Sequence, residues 1–432
     1  VSRLLNLHRF RFRKGGAEAV YLDHMELFAN RGWSCAEFVM DHPRNEPSPW
    51  SGYFPPYFDA ASAPRSLATL RRFVSSDEAR QGIVRLLDDF RPDIVHVHGL
   101  YQQLTPSVLQ PIASRGIPIV YTVHDYKLLC PAYMLYTAEL GVCERCAGGA
   151  AWNAALHKCL HGSRGVSTVY AAEALYHRWR GSYDAVTAYV MPSHFVLEKH
   201  RQYGFPGDRL HYIPNFFATS TDAPPDPAAV AAWRAAQGQF VLFFGRLSAE
   251  KGCAVLLEAC ARAGMRLVLA GEGPEEERLR ALAKQHGAAV EFAGYRSGAD
   301  LWALVEAAMC VALPAVWYEN APKSVLEAQA RSKPVIASRI GGLPEMVEDG
   351  VTGMLVPPGD AAALAEALGR MAALPDAART AMGAEARRRV QATFGVERYF
   401  TSMSELYARL RAEAAPAAAN AGHLAAAGSG LA

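Results

Sequence analysis

Arg246 and Lys251 stand five residues apart in Phe243-Phe244-Gly245-Arg246-Leu247-Ser248-Ala249-Glu250-Lys251-Gly252. Glycine lets backbone approach a ligand there, and two cations beside a helix N-terminus can neutralise a phosphate group. Taken alone, the segment fits an ordinary strand-to-helix turn with solvated charges equally well. Gly271 and Gly273, in Ala270-Gly271-Glu272-Gly273-Pro274, again follow a predicted strand, with a proline suited to the first helical turn. In Trp317-Tyr318-Glu319-Asn320-Ala321-Pro322-Lys323-Ser324-Val325-Leu326-Glu327-Ala328, two carboxylates lie eight residues apart, one in a loop and one inside the next helix. Eight helical residues span about 12 Å, more than the about 5–9.5 Å between the two carboxylates of a glycosidase. Glycoside hydrolysis is therefore disfavoured, and one carboxylate near a sugar with the other near a ribose fits better. Gly341-Gly342-Leu343-Pro344-Glu345 repeats the strand–glycine–helix pattern once more.

Parallel α/β units must carry these loops, because short β-branched apolar runs alternate with helical patterns along the whole chain. Strands are expected over 4–8, 34–40, 93–98, 117–124, 185–191 and 210–213. A second set is expected over 240–244, 266–270, 289–292, 309–313, 334–337 and 353–356. The Pro-, Ala- and Asp-rich stretch 218–229 separates the sets. The reading is an α/β protein of two doubly wound, Rossmann-like lobes, 1–215 and 240–395, joined by a linker over 216–239. Such sheets bind ligands beyond the carboxyl ends of their strands, so facing lobes enclose a cleft. Residues 396–412 carry Tyr399, Phe400, Met403, Leu406, Tyr407 and Leu410 at helical spacing and must dock somewhere. The Ala- and Gly-rich 413–432 reads as a disordered tail.

The 432 residues carry 44 Lys and Arg against 42 Asp and Glu, a net charge of +2. Up to Asn215 the counts are 23 and 19, far from the basic surplus of a nucleic-acid binder. No apolar run reaches the roughly 18 residues of a membrane span, and the N-terminus has no signal-peptide core. These features lead to the expectation of a cytoplasmic protein, soluble or attached peripherally at the inner face of the membrane. The basic, partly amphipathic stretch around Arg65, Leu67, Leu70, Arg71, Arg72, Phe73 and Val74 is a candidate membrane contact, although an ordinary helix with a solvated charged face explains it as well.

Together, Gly245-Arg246 with Lys251-Gly252, Gly271-Glu272-Gly273, the Glu319/Glu327 pair and Gly341-Gly342-Leu343-Pro344-Glu345 resemble the donor lobe of glycosyltransferase family 4. The first half is similar through Gly15-Gly16-Ala17-Glu18, His96-Val97-His98, Thr122-Val123-His124-Asp125 and Pro192-Ser193. The resemblance implies the GT-B architecture and retaining transfer of a sugar from a nucleotide diphosphate to a hydroxyl acceptor, plausibly a lipid-linked or cell-surface saccharide. It assigns Arg246 and Lys251 to the diphosphate, Glu327 to the ribose, and Gly271 and Gly273 to the donor site. Glu319 and the backbone after it (Asn320, Ala321, Lys323, Ser324) would position the donor sugar, and Gly16 would let the first loop close over the phosphate. His124 would lie beside the reacting sugar, with His98 and Asp125 on the acceptor side. Helix 396–412 would cross back to the first lobe. No catalytic cofactor is implied. With no Asp-x-Asp pair in the chain, Arg246 and Lys251 would do what a metal does elsewhere. Asn320-Ala321-Pro322 departs from the family's Gly-Phe-Gly, and Pro322 offers no backbone N–H. The alternatives are a nucleotide-sugar epimerase or phosphorylase of the same fold, or a non-catalytic scaffold in a polysaccharide assembly complex.

Of the eight cysteines, Cys130, Cys143, Cys146 and Cys159 are spaced C-x12-C-x2-C-x12-C in a segment expected to overhang the cleft. The pattern suits a structural zinc site. Unligated thiols are the close alternative, with an iron–sulfur cluster or disulfides behind.

Overall fold

The structure is a computed structural model that describes residues 1–59, 66–102, 104–217 and 224–427, with side chains described up to 414. Arg65 of the basic stretch, 218–223 of the expected linker and the last five residues of the expected tail lie outside the described residues.

The first lobe holds β1 (Arg3–Leu7), β2 (Ser34–Phe38), β3 (Ile94–Val97) and β4 (Ile119–Thr122), then a small hairpin of β5 (Tyr136–Thr137) and β6 (Gly141–Val142), then β7 (Ala188–Met191) and β8 (Leu210–Tyr212). The second holds β9 (Phe240–Phe244), β10 (Arg266–Ala270), β11 (Val290–Phe292), β12 (Cys310–Leu313), β13 (Val335–Ser338) and β14 (Gly353–Val356). Each lobe is built on a six-stranded parallel sheet, in the orders β2-β1-β3-β4-β7-β8 and β11-β10-β9-β12-β13-β14. The near-continuous apolar strands follow from this, because a parallel sheet is covered by helices on both faces. Phe240 to Phe244 is buried throughout.

Strand order reverses between β1 and β3 in the first sheet and between β9 and β12 in the second. At these switch points adjacent loops leave in opposite directions and open a crevice. The loops with Gly16, Arg246 and Glu319 all emerge there.

The helix Val396–Ala427 lays Tyr399, Met403, Leu406, Tyr407 and Leu410 on the first sheet, against Leu4, Ile94, Val120, Ala188 and Val190. Chain enters and leaves the second lobe side by side, the Phe217 N–H donating to the Phe394 carbonyl at 3.0 Å. Two boundaries differ from the sequence reading. Helix Pro227–Gln237, capped by Asp226, occupies the second half of the expected linker and buries Val230 in the second lobe's core. The last helix continues through Ala427 instead of ending at 412, in keeping with alanine's high helix propensity.

Candidate functional site

On the second lobe, β9 ends at Phe244 and the chain turns out through Gly245 and the exposed Arg246. Lys251 reaches back to form an ion pair with Glu319, which is 3% exposed. The glycines of the neighbouring loop have a packing cause. A Cβ on Gly271 would sit 1.9 Å from the Gly245 carbonyl oxygen, and one on Gly273 would sit 2.1 Å from that of Leu247. They let two loop backbones touch, whereas the resemblance assigned them to the donor site. Gly16 behaves differently. It opens helix Gly16–Asn30 on the first lobe, and a Cβ there would meet nothing within 4 Å, which leaves free space before a helix N-terminus.

Helix Lys323–Ala330 also starts at the cleft, after Pro322, with no side chain capping its first turn. Its orphan N–H groups and partial positive charge suit an anion. Lys323 crosses the cleft to Asp23 of the first lobe, which also accepts from Arg13 at 2.6 Å. One turn on, Glu327 makes no hydrogen bond or ion pair among the described residues. Burial pushes its carboxyl up to about 7, Lys323 opposes the rise, and Asp23 adds to it. A carboxylate held in this way gains from hydroxyl donors brought by a ligand.

Asn320 and Ala321 connect the lobes. The Asn320 amide donates to the Val123 carbonyl at 2.8 Å, its oxygen accepts from Ser193 at 3.0 Å, and the Ala321 carbonyl accepts from Asn215 at 3.1 Å. The side chain of Asn320, a residue assigned to the donor site, is thus committed to the first lobe. Glu345 of the Gly-Gly-Leu-Pro-Glu segment spans the same gap and accepts from the N–H groups of His194 and Phe195, each at 2.7 Å. A carboxylate from one lobe therefore caps a helix of the other, His194–Gln202.

His124 follows β4 at the cleft edge, half-buried, with its Nε2 3.2 Å from His98 Nδ1 and the two rings stacked. Burial lowers it to about 3, with His8 adding and Glu18 opposing, so it is a neutral hydrogen-bonding group at pH 7. His98, expected to contact an acceptor, is fully buried beneath His124 and supports it from below. Asp125 turns away into its own loop, where it accepts from Tyr101 and, at 2.9 Å, from the Lys127 N–H. Below lie His96 and His24. His96 contacts the Tyr407 hydroxyl at 2.5 Å and Thr122 at 2.7 Å, and His24 contacts Tyr399 at 2.9 Å. His24, His96 and His98 are close enough to hold an ion. The nitrogens of His24 and His96 are already engaged by hydroxyls, so the group reads as a polar core layer beneath the last helix.

The cysteine segment does overhang the cleft, since the Tyr318 hydroxyl of the second lobe donates to Glu144 at 2.8 Å. Its four thiols are free. Burial pushes Cys146 up to about 12 and Cys159 up to about 11, and charge on the neighbouring thiols adds to both. Among the described residues no three of these sulfurs lie within 4.8 Å of one another, and the geometry does not support the expected zinc ligation.

Sequence reasoning missed Arg13, Asp23, Glu144 and the hydrogen bonds of Tyr399 and Tyr407 to the buried histidines. Their partners are 10 to 383 residues away, and only the Arg13–Asp23 pair had a local signal, the alternating arginines after β1.

Two family profiles match the chain side by side, Glycosyltransferase Family 4 over residues 14–221 and Glycosyl transferases group 1 over 232–389. O-antigen chain mannosyltransferase C of Escherichia coli is 30% identical over 246 residues, 55% of this chain and 64% of that protein. Glycogen synthase of Mycobacterium tuberculosis is 35% identical over 174 residues, 39% of this chain and 42% of the relative. The chain thus spans less than two thirds of the length of these curated relatives. Sucrose-phosphate synthase from Thermosynechococcus elongatus superposes with a TM-score of 0.72 at 19% identity, covering 96% of this chain and 100% of that one. Anabaena HepE in complex with UDP and glucose gives 0.66 at 19% identity, covering 95% and 100%. With both lobes matched by glycosyltransferase profiles and the two-sheet architecture shared with these structures, the chain belongs to the GT-B glycosyltransferases.

Proposed function

We propose that the chain transfers a hexose from a nucleotide-diphosphate donor to a hydroxyl of a saccharide acceptor, with retention at the anomeric carbon. One observation carries the reading. Arg246, Lys251 and the uncapped start of helix Lys323–Ala330 share one switch-point crevice with Glu327, a half-buried carboxylate without a partner among the described residues. That set is complementary to a nucleoside diphosphate, with cations and amides for the phosphates and a carboxylate for the ribose hydroxyls.

In the reaction the acceptor oxygen bonds to the anomeric carbon as the bond from that carbon to the β-phosphate oxygen breaks. The electron pair goes to the diphosphate, and the acceptor proton leaves with it. Charge builds on the departing phosphate, where Arg246, Lys251 and the helix N-terminus stabilise it. Donor binding draws Lys251 from Glu319 toward phosphate and turns Glu319 to the sugar. Neutral His124 faces the sugar from the first lobe. The relatives named for O-antigen and glycogen synthesis, and colanic acid biosynthesis proteins among the further matches, support a polysaccharide or lipopolysaccharide acceptor.

Among the described residues no helix is long and apolar enough to cross a membrane. Exposed Leu67 and Leu70 on helix Leu67–Val74, with Tyr176 and Trp179 on helix Arg164–Trp179, favour peripheral contact with a lipid surface at the cytoplasmic side. Thermal stabilisation by a panel of UDP-, GDP-, ADP- and dTDP-sugars tests the donor reading. One class should raise the melting temperature in the parent chain and fail to do so in Lys251→Ala. No response to any class overturns the reading.

A further inference from the structure

The loop after β1, His8-Arg9-Phe10-Arg11-Phe12-Arg13-Lys14, carries four cations, and three of them are neutralised. Arg9 pairs with Glu18 at 3.0 Å, Arg11 with Glu37 at 2.6 Å and Glu46 at 3.0 Å, and Arg13 with Asp23 at 2.6 Å. Lys14 has no carboxylate partner. Neither has Arg44, on the loop after the neighbouring edge strand β2, nor Arg246 on the facing lobe, among the described residues. All three are exposed. A chain that pairs its other cations here so consistently has left these free.

Lys14 and Arg44 are fixed by one aromatic wall. Lys14 Nζ lies 5.0 Å from the Phe10 ring centroid and Arg44 Cζ 4.6 Å from that of Phe12. The two rings are 5.0 Å apart, and His42 packs against both at about the same distance. Beyond His42 stands Tyr57, 47% exposed, its ring edge-on at 4.8 Å. Burial and the charge of Arg9 lower the proton affinity of Lys14, Glu18 opposes them, and Arg246 and Arg44 add to the fall. Glu18 is already committed to Arg9, so the like charges of Lys14, Arg44 and Arg246 leave a site for an anion.

A donor diphosphate is already matched by Arg246 and Lys251 of the second lobe. Arg44 stands beyond β1, on the loop after the outer strand β2 of the first lobe, and the exposed aromatic ring of nearby Tyr57 is the surface a sugar ring packs on. We propose that the acceptor is an acidic saccharide, whose carboxylate or phosphate ester is held by Lys14 and Arg44 while its ring lies along His42 and Tyr57. This rests on the transferase reading above and names the substrate class of its acceptor side.

The test is a saturation-transfer NMR titration of the full chain at low salt with cellobiose, cellobiouronic acid, cellobiose 6-phosphate and inorganic phosphate. At least one acidic disaccharide should bind about tenfold or more tightly than cellobiose, the range of a charge-assisted contact. That advantage should vanish in the surface double variant Lys14→Gln/Arg44→Gln. The acid arm that wins separates carboxylate from phosphate recognition. Equal binding of neutral and acidic disaccharides, an advantage that survives the double variant, or inorganic phosphate binding as tightly as either acid overturns the proposal. A fall in nucleotide-sugar affinity in the double variant also overturns it by assigning these cations to the donor. Failure of the parent chain to bind any nucleotide sugar rejects the transferase reading instead, and the acidic-saccharide preference is read independently of it.

Discussion

Replacing Glu327 by Gln should make the protein more stable and a worse binder. The folded state raises this carboxyl from 4.5 to about 7, chiefly through burial. Such a group favours the fold most below its unfolded value, and that contribution is lost as pH rises through 7. At about 1.4 kcal/mol for each tenfold in proton affinity, the ionised form costs the fold about 3 kcal/mol at pH 8 and about 1 kcal/mol at pH 5. Glutamine escapes the cost. The variant should therefore melt about 5 °C or more above the parent at pH 8, taking roughly 2–4 °C per kcal/mol for a lobe of this size. The gap should shrink toward pH 5. Nucleotide affinity should move the other way, because hydrogen bonds to a charged acceptor are worth about 1.5–3 kcal/mol, or about 10–100-fold. In the parent chain, ribose hydroxyls that favour the ionised carboxylate should make binding release protons near pH 7 and strengthen as pH rises. Calorimetry in two buffers of different ionisation enthalpy, with melting curves from pH 5 to 8, measures all of this. A variant no more stable than the parent at pH 8, or one with unchanged nucleotide affinity, would refute the reasoning.

Three further outcomes follow from the ion pairs and the polar core. Lys251→Ala leaves Glu319 buried and unpaired and should cost about 2–3 kcal/mol, less than a wholly buried pair because Lys251 is 21% exposed. Lys251→Ala/Glu319→Gln should recover the melting temperature without recovering nucleotide binding. Tyr407→Phe removes the hydroxyl that serves His96 and should cost about 1–3 kcal/mol in denaturant melts, with the fold retained by circular dichroism. Glu345→Ala removes two hydrogen bonds across the lobe gap while helix His194–Gln202 keeps its Ser193 cap, so the radius of gyration in solution scattering should increase while each lobe keeps its secondary structure.

Both sheets were legible because each strand is a short apolar run bounded by turn residues. All twelve fell within a few residues of their expected places. The hairpin β5–β6 was not legible, since two-residue strands in a loop leave no periodic signal. Arg246, Lys251, Glu319 and Glu327 could be picked out because glycines and a helix start stand beside them in sequence. What the spacing could not give was direction. His98 and His124 follow neighbouring strands, and only the pairing of β3 with β4 shows that one covers the other. Asn320 seemed to look at the donor from its place in the motif, yet its partners, Val123 and Ser193, come from the other lobe. The cysteine spacing likewise fixes which thiols share a segment without fixing how near their sulfurs come.

The most direct measurement is a crystal structure of the chain soaked with the nucleotide-diphosphate sugar that stabilises it best. The account predicts the diphosphate between Arg246, Lys251 and the start of helix Lys323–Ala330, the ribose on Glu327, and the Lys251–Glu319 pair opened. A nucleotide bound elsewhere, with that pair intact and Glu327 still without a partner, would contradict it.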